Sequence, residues 1–443
     1  MRVALLFGGR SGEHEVSVMS ARSVFGALLE GGFDVVCVGI TREGHWVFVE
    51  APAAFFEQES VERGCGEVTV DLGPSCYILP DPLRPGIWAN GTEVYESVCA
   101  QPHDPVHVPE GISAHAPAEA PVCEPAPDQA YQPDRVLECK PAQESPCDAE
   151  AGSRALPEDA RNPRVAGVRI DIDVVFPVLH GTFGEDGTVQ GLLELSGIPY
   201  VGSGTLASAI CMDKDTTKIV LSKRGIPIVP AITVERWKWQ SQRDEVLEEI
   251  YARIDFPVFV KPSASGSSLG VSKVKDGSGL PAAIDNAFLY DLKVLVEPAQ
   301  EGALEIECSV LGNEKPEASI PGQIVPSREF YDYEAKYLDR STRLVVPAPL
   351  EDSLADKVRA AAIDAFRAAG CSGLARVDFF VYPDTGELYV NELNTLPGFT
   401  EVSMYPKLWE ASGLPYSRLV ARLVELALER KRTSHRHVKR VDA

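Results

Sequence analysis

The chain has 443 residues, of which 44% are hydrophobic and 24% charged, a composition typical of a globular protein with an ample core. Its formal net charge of −23 opposes a nucleic-acid partner, because a phosphate backbone requires clustered Lys and Arg. No apolar run approaches the roughly 20 residues that a membrane span needs, so we expect a cytoplasmic protein of two or three domains with no membrane partner.

The first forty residues have the pattern of a βαβ unit. An apolar strand at 3–7 leads into the turn Gly8-Gly9-Arg10-Ser11-Gly12, and a helix is predicted over 13–29. Glycine at 31 and 32 ends the helix before a second apolar strand at 33–40. A strand, a helix closed by glycine and a further strand predict a parallel sheet.

A long segment from about residue 101 to residue 164 is rich in Pro, Glu, Asp and Ala and has little periodicity. Such a segment cannot bury enough apolar surface to offset the entropy lost on ordering it. We therefore interpret it as an acidic, Pro-rich insertion that is flexible or loosely packed.

Regular elements resume with a buried-type strand at 170–179, which ends in His180-Gly181, and a helix at 206–224. A strand at 256–261 then enters the glycine- and serine-rich loop from Lys261 to Gly270 and returns at 271–274. Small residues let backbone N–H groups approach phosphates, and Lys261 adds positive charge. The loop is not a Walker loop, since it lacks G-K-[ST] and a strand follows it. Taken alone, such a loop is more often a plain turn.

The region that begins near Glu297 contains the most specific signal. A helix is predicted at 354–369, followed by strands at 373–382 and 387–394 that are joined by the turn Pro383-Asp384-Thr385-Gly386. If the turn is centred on Thr385, Asp378 lies opposite Glu392 and Arg376 lies opposite Asn394. Alternation then puts these four side chains on one face, with Val381 and Tyr389 pointing the other way.

Two facing carboxylates repel each other by about 1 kcal/mol at 4 Å in water, and by several times more in a partly dry site. The fold would tolerate them only with a cation, and a set of oxygen ligands from Asp, Glu and Asn suits Mg²⁺. The alternative is an exposed polar hairpin face, since surface carboxylates are common. Arg376 in the same cluster favours the functional interpretation, because it could neutralise a developing oxyanion or a transferred phosphate.

Other candidates have equally plausible structural explanations when taken singly. Lys214 on its predicted helix could be a solvated lysine, and His180 a buried, hydrogen-bonded core histidine. Glu297, Glu305 and Glu307 could be structural residues of their strands.

Seven motifs in series resemble those of D-alanine:D-alanine ligases. They are Gly8-Gly9-Arg10-Ser11-Gly12-Glu13-His14-Glu15-Val16-Ser17; Leu179-His180-Gly181 with Gly184-Glu185-Asp186-Gly187; Met212-Asp213-Lys214; the Lys261 loop; Phe330-Tyr331-Asp332-Tyr333-Glu334-Ala335-Lys336-Tyr337; Ala375-Arg376-Val377-Asp378; and Glu392-Leu393-Asn394-Thr395-Leu396-Pro397-Gly398-Phe399-Thr400. The resemblance covers most of the chain apart from about 50–167 and the C-terminal tail.

The resemblance implies an α/β and α+β fold, a three-domain ATP-grasp ligase. It places an N-terminal parallel α/β substrate domain at 1–205, a central lid domain at 206–296, a catalytic domain at 297–430 and a basic tail at 431–443. ATP would lie between the central and C-terminal domains. A homodimer is also implied. We expect the basic run that begins at Arg430 to be a solvated, disordered tail.

The resemblance also assigns roles to individual residues. The residues assigned to the nucleotide include Lys214, Lys261, Lys336 and Ser268, with Lys261 and Lys336 at its phosphates. Glu297 and Glu305 would contact its adenine or ribose. Asp378, Glu392 and Asn394 would hold two Mg²⁺ ions, for which Mn²⁺ could substitute. Glu13 would bind the ammonium of the first D-alanine with His180 near its carboxylate, and Ser403 and Met404 would lie at the second. Arg376 and the N–H of Gly398 would stabilise the oxyanion, and Ser267 and Tyr337 would link Glu13 to a closed lid.

Two other functions remain open at this point. A D-alanine:D-lactate ligase would share the fold and the first half-reaction, although Tyr337 and its neighbours resemble the dipeptide-forming type. A non-catalytic ATP-binding scaffold is the second, and the intact set of Arg376, Asp378, Glu392 and Asn394 argues against it.

Overall fold

The computed structural model of the protein describes residues 1–58, 61, 66–69, 73–89, 168–266, 268–325 and 343–433. The chain divides into two compact units, Met1–Ser97 with Gly167–Ala443, and Val98–Ala166. The second unit, and with it the predicted insertion at 101–164, lies outside the described residues.

The first sheet contains the predicted βαβ unit. Its strands are β1 (Arg2–Gly8), β2 (Asp34–Ile40), β3 (Trp46–Val49) and β7 (Val174–Val178), in the order β3-β2-β1-β7. Strand β1 pairs in parallel with β2 and β7, whereas β3 pairs antiparallel with β2. The parallel prediction is confirmed for β1, β2 and β7, and β3 adds an antiparallel edge.

A small antiparallel sheet follows in the chain. It consists of β4 (Cys76–Ile78), β5 (Ile87–Ala89) and β6 (Val168–Ile170). The single strand predicted at 170–179 is therefore wrong. Two strands in different sheets replace it, because the polar residues Asp171 and Asp173 interrupt the apolar run and Asp173 turns back to the N-terminal strand, where its carboxylate accepts the N–H of Arg2 at 2.7 Å.

The second large sheet is wholly antiparallel and contains the glycine-rich hairpin. Its strands are β8 (Ile232–Glu235), β9 (Val258–Pro262), β10 (Ser272–Val274) and β11 (Lys293–Pro298), in the order β10-β9-β11-β8. Strands β9 and β10 pair antiparallel, which confirms the predicted hairpin with the glycine- and serine-rich loop at its tip.

The third large sheet contains the predicted metal hairpin. Its strands are β12 (Leu304–Gly312), β13 (Glu317–Ala318), β14 (Gly322–Val325), β15 (Arg343–Val345), β16 (Gly373–Tyr382) and β17 (Glu387–Asn394). The order is β15-β14-β12-β16-β17, with β13 paired to β12. Strands β16 and β17 have the predicted boundaries.

Helices cover these sheets. They are α1 (His14–Glu30), α2 (Pro52–Phe56), α3 (Thr188–Ser196), α4 (Thr205–Met212), α5 (Lys214–Lys223), α6 (Arg236–Ser241), α7 (Arg243–Arg253), α8 (Leu280–Ala287), α9 (Asp352–Ala368), α10 (Met404–Ala411) and α11 (Tyr416–Thr433). Helix α9 buries Val358, Ala362 and Phe366 against the third large sheet, the spacing expected of an amphipathic helix. Within the part of the chain that the structure describes, no helix is long and apolar enough to cross a membrane.

The helix predicted at 206–224 is in fact two helices, α4 and α5, separated at Asp213. The backbone of Asp213 is extended, and its carboxylate accepts the N–H of Thr216 at 2.8 Å. An Asp at this position caps the orphan N–H groups at the start of a helix. The break therefore sets Lys214 at the first turn of α5 instead of in the middle of a longer helix.

The C-terminal prediction also needs a correction, because α11 continues through Thr433 and Arg430 is not part of a solvated tail. The guanidinium of Arg430 lies 4.2 Å from the centre of the Tyr200 ring, and it donates to the carbonyls of Tyr200 and Gly202. The amphipathic helix buries Leu419 and Leu423. Because this apolar face is packed, the last turn of the helix also lies against the protein. Residues 434–443 lie outside the described part of the chain.

Candidate active site

A cavity of about 550 Å³ collects most of the predicted site residues. It is bordered by the helix α1 N-terminus, the glycine-rich loop, strand β11, the hairpin β16–β17 and the segment that follows β17. The predicted residues on its wall are Glu13, His180, Lys214, Lys261, Ser268, Glu297, Glu305, Arg376, Asp378, Glu392, Asn394, Gly398, Ser403 and Met404.

The hairpin face has the register that the sequence predicts. Asp378 pairs with Glu392 and Arg376 pairs with Asn394. The side chains of Val377, Phe379 and Val381 are buried in the core, while Arg376 and Asp378 border the cavity. One face of the hairpin is therefore a polar wall of the cavity.

A β-bulge between Asp378 and Phe379 produces this register, and no residue pattern predicted it. Near the turn, Phe379 pairs with Val390 and Phe380 with Tyr389, so the centre of the turn lies half a residue before Thr385. Asn391 is the extra residue that restores the pairing of Asp378 with Glu392. Bulges of this kind re-aim side chains beside active sites.

Two side chains on β17 are placed differently from the prediction. Tyr389 pairs with Phe380, and the centre of its ring lies 6.4 Å from the centre of the Tyr382 ring. Tyr389 therefore lies on the cavity face of the sheet and not on the opposite face. Asn391, which the sequence did not single out, borders the cavity, and its Oδ1 accepts from Lys261 Nζ at 3.3 Å. Asn is disfavoured within strands by propensity. Its presence in β17 was the one available signal that Asn391 has a special role.

Arg376 is held by carboxylates on both sides. It donates to both oxygens of Asp378 at 2.7 Å, and its Nε lies 3.1 Å from Glu307 Oε2 on the neighbouring strand. Burial opposes the charged form, but Asp378 and Glu307 outweigh it and raise the pKa of Arg376 above its usual value. The guanidinium is thus a fixed positive charge at the cavity wall.

Asp378, Glu392 and Asn394 fit a hard divalent cation by donor chemistry. Asn394 Nδ2 donates to Asp378 Oδ2 at 3.0 Å, which leaves the amide oxygen as the acceptor of that side chain. Lys214 Nζ lies 3.6 Å from Glu392 Oε2. Among the residues that the structure describes, no group of three His, Cys, Asp or Glu is arranged for a metal ion. The candidate set is instead two carboxylates and an amide, which are oxygen ligands of the kind that Mg²⁺ prefers.

The glycine-rich loop is tied to the start of α5. The N–H of Lys214 donates to the Ser263 carbonyl at 3.0 Å, and Lys214 Nζ donates to the Ser265 carbonyl at 2.7 Å. Ser263 Oγ also lies 3.1 Å from Asp213 Oδ1. Lys214 therefore connects the loop to Glu392 on the metal hairpin, a contact that sequence spacing could not reveal.

Beneath this loop, Glu297 is almost fully buried between two lysines. Lys261 Nζ lies 2.6 Å from Glu297 Oε2, and Lys218 Nζ lies 3.0 Å from Glu297 Oε1. Burial favours the neutral acid, but the two ammonium groups hold the pKa of Glu297 below its usual value. Lys218 was not a predicted site residue.

Glu13 lies at the opposite end of the cavity, where the turn after β1 meets two glycines. The N–H of Glu13 donates to Ser11 Oγ, which donates in turn to the His180 carbonyl at 2.8 Å. A Cβ added at Gly181 would lie 2.8 Å from Glu13 Oε2, and one at Gly266 would lie 3.2 Å away. The glycine-rich loop therefore reaches across the cavity to the carboxylate of Glu13.

His180 has hydrogen-bond partners for both ring nitrogens. Its Nδ1 lies 2.9 Å from the Leu396 carbonyl and its Nε2 lies 3.1 Å from Ser20 Oγ. Because a carbonyl only accepts, Nδ1 carries the proton. Burial lowers the pKa of His180, against the opposing charge of Glu13. The ring is thus a neutral, buried anchor that still borders the cavity.

Glu185 is a further carboxyl of the cavity wall, to which the sequence analysis gave no role. Its Oε2 accepts from the N–H of Gly181 at 2.8 Å. Burial, with a smaller effect of the charge on Glu13, raises the pKa of Glu185 to about 8. The carboxyl of Glu185 is therefore largely protonated near neutral pH.

The segment after β17 closes the cavity beside Gly398. The hydroxyl of Ser20 accepts from the N–H of Phe399 at 3.3 Å, so α1 and His180 hold both flanks of Gly398. Ser403 Oγ accepts from the N–H of Thr400 at 3.1 Å, and a Cβ added at Gly398 would lie 3.2 Å from the same oxygen. Met404 is buried beside Ile324 at the start of α10.

Three predicted site residues, Ser267, Lys336 and Tyr337, lie outside the described residues. Their assigned roles stay predictions. Ser268 is described and has a backbone φ of 57°, the left-handed conformation that few residues other than glycine adopt.

Comparison with known proteins identifies a family that matches most of the chain. The family models described as D-ala D-ala ligase N-terminus and C-terminus match residues 2–203 and 220–425. The chain is 41% identical to a D-alanine–D-alanine ligase of Natranaerobius thermophilus, over 99% of this chain and 97% of that protein. It is 38% identical to D-alanine–D-alanine ligase A of Escherichia coli K12, over 97% of this chain and 96% of that protein.

Solved structures of the same kind superpose on most of the chain. The VanG D-Ala:D-Ser ligase of Enterococcus faecalis matches with a TM-score of 0.71 and 30% identity, over 96% of this chain and 99% of that one. The D-alanine-D-alanine ligase of Coxiella burnetii matches with a TM-score of 0.69 and 31% identity, over 98% and 95% of the two chains.

Proposed function

The chain belongs to the family of D-alanine–D-alanine ligases, and from that membership we propose how its residues join two D-alanine molecules at the expense of ATP. Its fold is the multidomain α/β and α+β architecture of ATP-grasp ligases. The observation that supports the proposal most directly is the facing pair Asp378 and Glu392 on the wall of a cavity that also contains Lys214 and Lys261.

ATP binds with its phosphates under the glycine-rich loop. Lys214 and Lys261 border the cavity there, and backbone N–H groups of a loop of small residues suit phosphate oxygens. Glu297 on β11 and Glu305 on β12 lie in different sheets, border the same cavity and take the adenine or ribose. Lys336 is the third predicted cation for the phosphates.

Asp378, Glu392 and Asn394 would hold two Mg²⁺ ions, or Mn²⁺ in their place. When bound, such ions would neutralise charge on the phosphoryl group during its transfer. Arg376, fixed between Asp378 and Glu307, supplies a positive charge that does not depend on the ions.

The first D-alanine places its ammonium at Glu13 and its carboxylate toward Gly398 and His180. Because Glu185 is largely protonated near neutral pH, it does not compete with Glu13 for the ammonium group. The second D-alanine lies beside Ser403 and Met404.

The reaction has two steps. A carboxylate oxygen of the first D-alanine attacks the γ-phosphorus of ATP, and ADP leaves. The amine of the second D-alanine, after losing a proton, then attacks the carbonyl carbon of the acyl phosphate, and inorganic phosphate leaves. The N–H of Gly398 and the guanidinium of Arg376 stabilise the oxyanion in the second step. Closure of the lid by Ser267 and Tyr337 keeps water from the acyl phosphate.

The product serves peptidoglycan synthesis, and we propose a cytoplasmic homodimer with domains at 1–205, 206–296 and 297–430. Helix α11 extends the last of these to Thr433.

The test is ADP release by the full chain with ATP and Mg²⁺ and one candidate substrate pair at a time. D-alanine alone should support turnover and give D-alanyl-D-alanine. Mixtures with D-lactate and with D-serine separate this function from the D-lactate alternative and from the D-serine activity in the name of the Enterococcus faecalis neighbour. A dominant ester or D-Ala-D-Ser product at neutral pH would contradict the proposal, and so would the absence of ADP release with D-alanine.

A further inference from the structure

The buried cluster of Lys218, Glu297 and Lys261 contains one more cation than its carboxylate needs. All three residues are at most 9% exposed. Lys218 and Lys261 each contact a different oxygen of Glu297, at 3.0 and 2.6 Å. A charge removed from water is costly unless it is paired. A single lysine would satisfy the carboxylate, so the second one calls for an explanation.

The two lysines differ in what else they contact. Lys218 lies in α5 and donates to the Val229 carbonyl at 2.9 Å, and it is not on the cavity wall. Lys261 lies near the end of strand β9 and borders the cavity, and its ammonium also reaches Asn391 on the metal hairpin. One ammonium is thus anchored behind Glu297, while the other faces the space proposed for ATP.

These contacts imply a competition for Lys261. The proposed role of Lys261 is at the phosphates, yet in this structure its ammonium pairs with Glu297. If the Lys261 ammonium turned toward a phosphate, Glu297 would lose its shorter ion pair in a dry environment. Without a second cation, Glu297 would resist the loss of Lys261, because a buried carboxylate that loses its partner costs several kcal/mol.

We propose that Lys218 is a positioning residue for nucleotide binding: it keeps Glu297 compensated so that the Lys261 ammonium can transfer from Glu297 to the phosphates of ATP. Lys218 touches neither nucleotide nor substrate and acts through Glu297. The inference rests on the proposed function, since it takes the cavity to be an ATP site.

The alternative is a purely structural ion cluster that joins α5 to strands β9 and β11. A structural role predicts that loss of Lys218 lowers thermal stability and weakens every ligand alike. A positioning role predicts a selective loss of the phosphate contribution, because adenosine does not need Lys261 to leave Glu297.

The experiment compares the affinities of ATP and adenosine for the full chain. ATP binding is measured by calorimetry and adenosine binding by ligand-observed NMR, for the wild type and for Lys218→Met. The expected result is that the ratio of the two affinities falls about tenfold, or 1.4 kcal/mol, while adenosine affinity changes little. In turnover assays the KM for ATP should rise and the KM for D-alanine should not.

Further variants make the test specific. Lys223→Met removes an exposed lysine from the same helix and should leave the affinity ratio unchanged. Lys218→Arg retains the positive charge and should keep most of the wild-type ratio. The double variant Lys218→Met with Glu297→Gln should have the same ratio as Glu297→Gln alone, because no buried carboxylate then retains Lys261. Glu297→Gln alone is the reference here, since Glu297 is itself proposed to contact the nucleoside. If Lys218→Met does not fold, Lys218→Gln replaces it in the same comparison.

The proposal is overturned if Lys218→Met leaves the ratio unchanged, if ATP and adenosine weaken by the same factor, or if the double variant has a lower ratio than Glu297→Gln alone. Failure of the proposed function would look different. In that case the wild type itself would release no ADP in the presence of D-alanine, whatever the variants do.

Discussion

Asp378 and Glu392 face each other across strands β16 and β17, directly beside the β-bulge at Asn391. Without the extra residue, the register near the turn would continue and Asp378 would pair with Asn391. The bulge therefore brings the two carboxylates together, and it also brings Asn391 to Lys261. One irregular residue thus connects the facing carboxylates to the glycine-rich loop.

Replacing Gly181 with Ala should damage the first D-alanine site. Gly181 has φ +74°, and an added Cβ would lie 2.8 Å from Glu13 Oε2. Gly32 is the matched control, because its φ is also +74° and a Cβ there would meet nothing within 4 Å. Both variants carry the penalty of about 1 kcal/mol for a left-handed Ala, but only Gly181→Ala displaces Glu13.

We expect kcat/KM for D-alanine to fall by about 10²-fold in Gly181→Ala, as it does when a reacting group is misplaced by an ångström, and to stay near wild type in Gly32→Ala. Steady-state ADP release at saturating ATP measures this. Equal losses in the two variants would show that backbone strain, and not the contact with Glu13, is responsible.

Glu185 should make stability depend on pH in a defined direction. Its pKa is about 8 in the folded protein against an ordinary value of 4.5, so the folded state holds a proton that the unfolded state loses. Stability therefore falls as pH rises from about 4.5 to about 8. In Glu185→Gln this contribution is absent.

Urea unfolding of the wild type and Glu185→Gln at pH 5 and pH 9 measures the effect. From pH 5 to pH 9, the free energy of unfolding of the variant should rise by on the order of 2 kcal/mol relative to that of the wild type. This figure is reduced for the partial exposure of the side chain. A difference that is the same at both pH values would mean that Glu185 is ionised in the folded protein.

Arg430→Met should destabilise the fold without changing substrate affinity. Arg430 stacks on Tyr200 and donates to the carbonyls of Tyr200 and Gly202, so its loss leaves buried acceptors unpaired. The expected cost is about 2–3 kcal/mol, measured by urea unfolding. Arg432 is exposed in the same helix turn, and Arg432→Met should stay within about 0.5 kcal/mol of wild type. A similar cost for both would contradict the anchoring role.

Deletion of residues 101–152 should leave ligase turnover largely intact, because the composition of that segment offers little apolar surface to a folded core. Circular dichroism confirms folding of the shortened chain, and the coupled ADP assay measures its turnover. A folded deletion variant that has lost turnover would refute the interpretation of the segment as dispensable.

The sequence predicted the elements whose signals are local. The boundaries of β16 and β17, and the glycine-rich hairpin, follow from apolar alternation and turn residues. The predicted pairing of Asp378 with Glu392 is also confirmed, but the reason given for it was incomplete. The turn is centred half a residue before Thr385, and the bulge compensates for that shift. The same offset put Tyr389 on the unexpected face.

Other features required the tertiary structure. No local sequence pattern distinguishes Lys218 or Glu185. Lys218 becomes notable only because three elements pack around Glu297, and Glu185 only because it accepts from Gly181. The break at Asp213 was readable in principle as a helix cap, because Asp precedes Thr216 by three residues. Continuous helical periodicity on both sides concealed it.

The most direct test of the account is ADP release dependent on D-alanine in Asp378→Ala and Glu392→Ala, beside two controls from the same hairpin. Asp384→Ala and Glu387→Ala remove exposed carboxylates in and next to the turn. Loss of either facing carboxylate should reduce kcat by about 10²-fold or more, the effect of removing a preorganised electrostatic group, while both controls keep wild-type rates. Wild-type turnover in Asp378→Ala or Glu392→Ala would contradict the central claim that this pair forms the catalytic metal face.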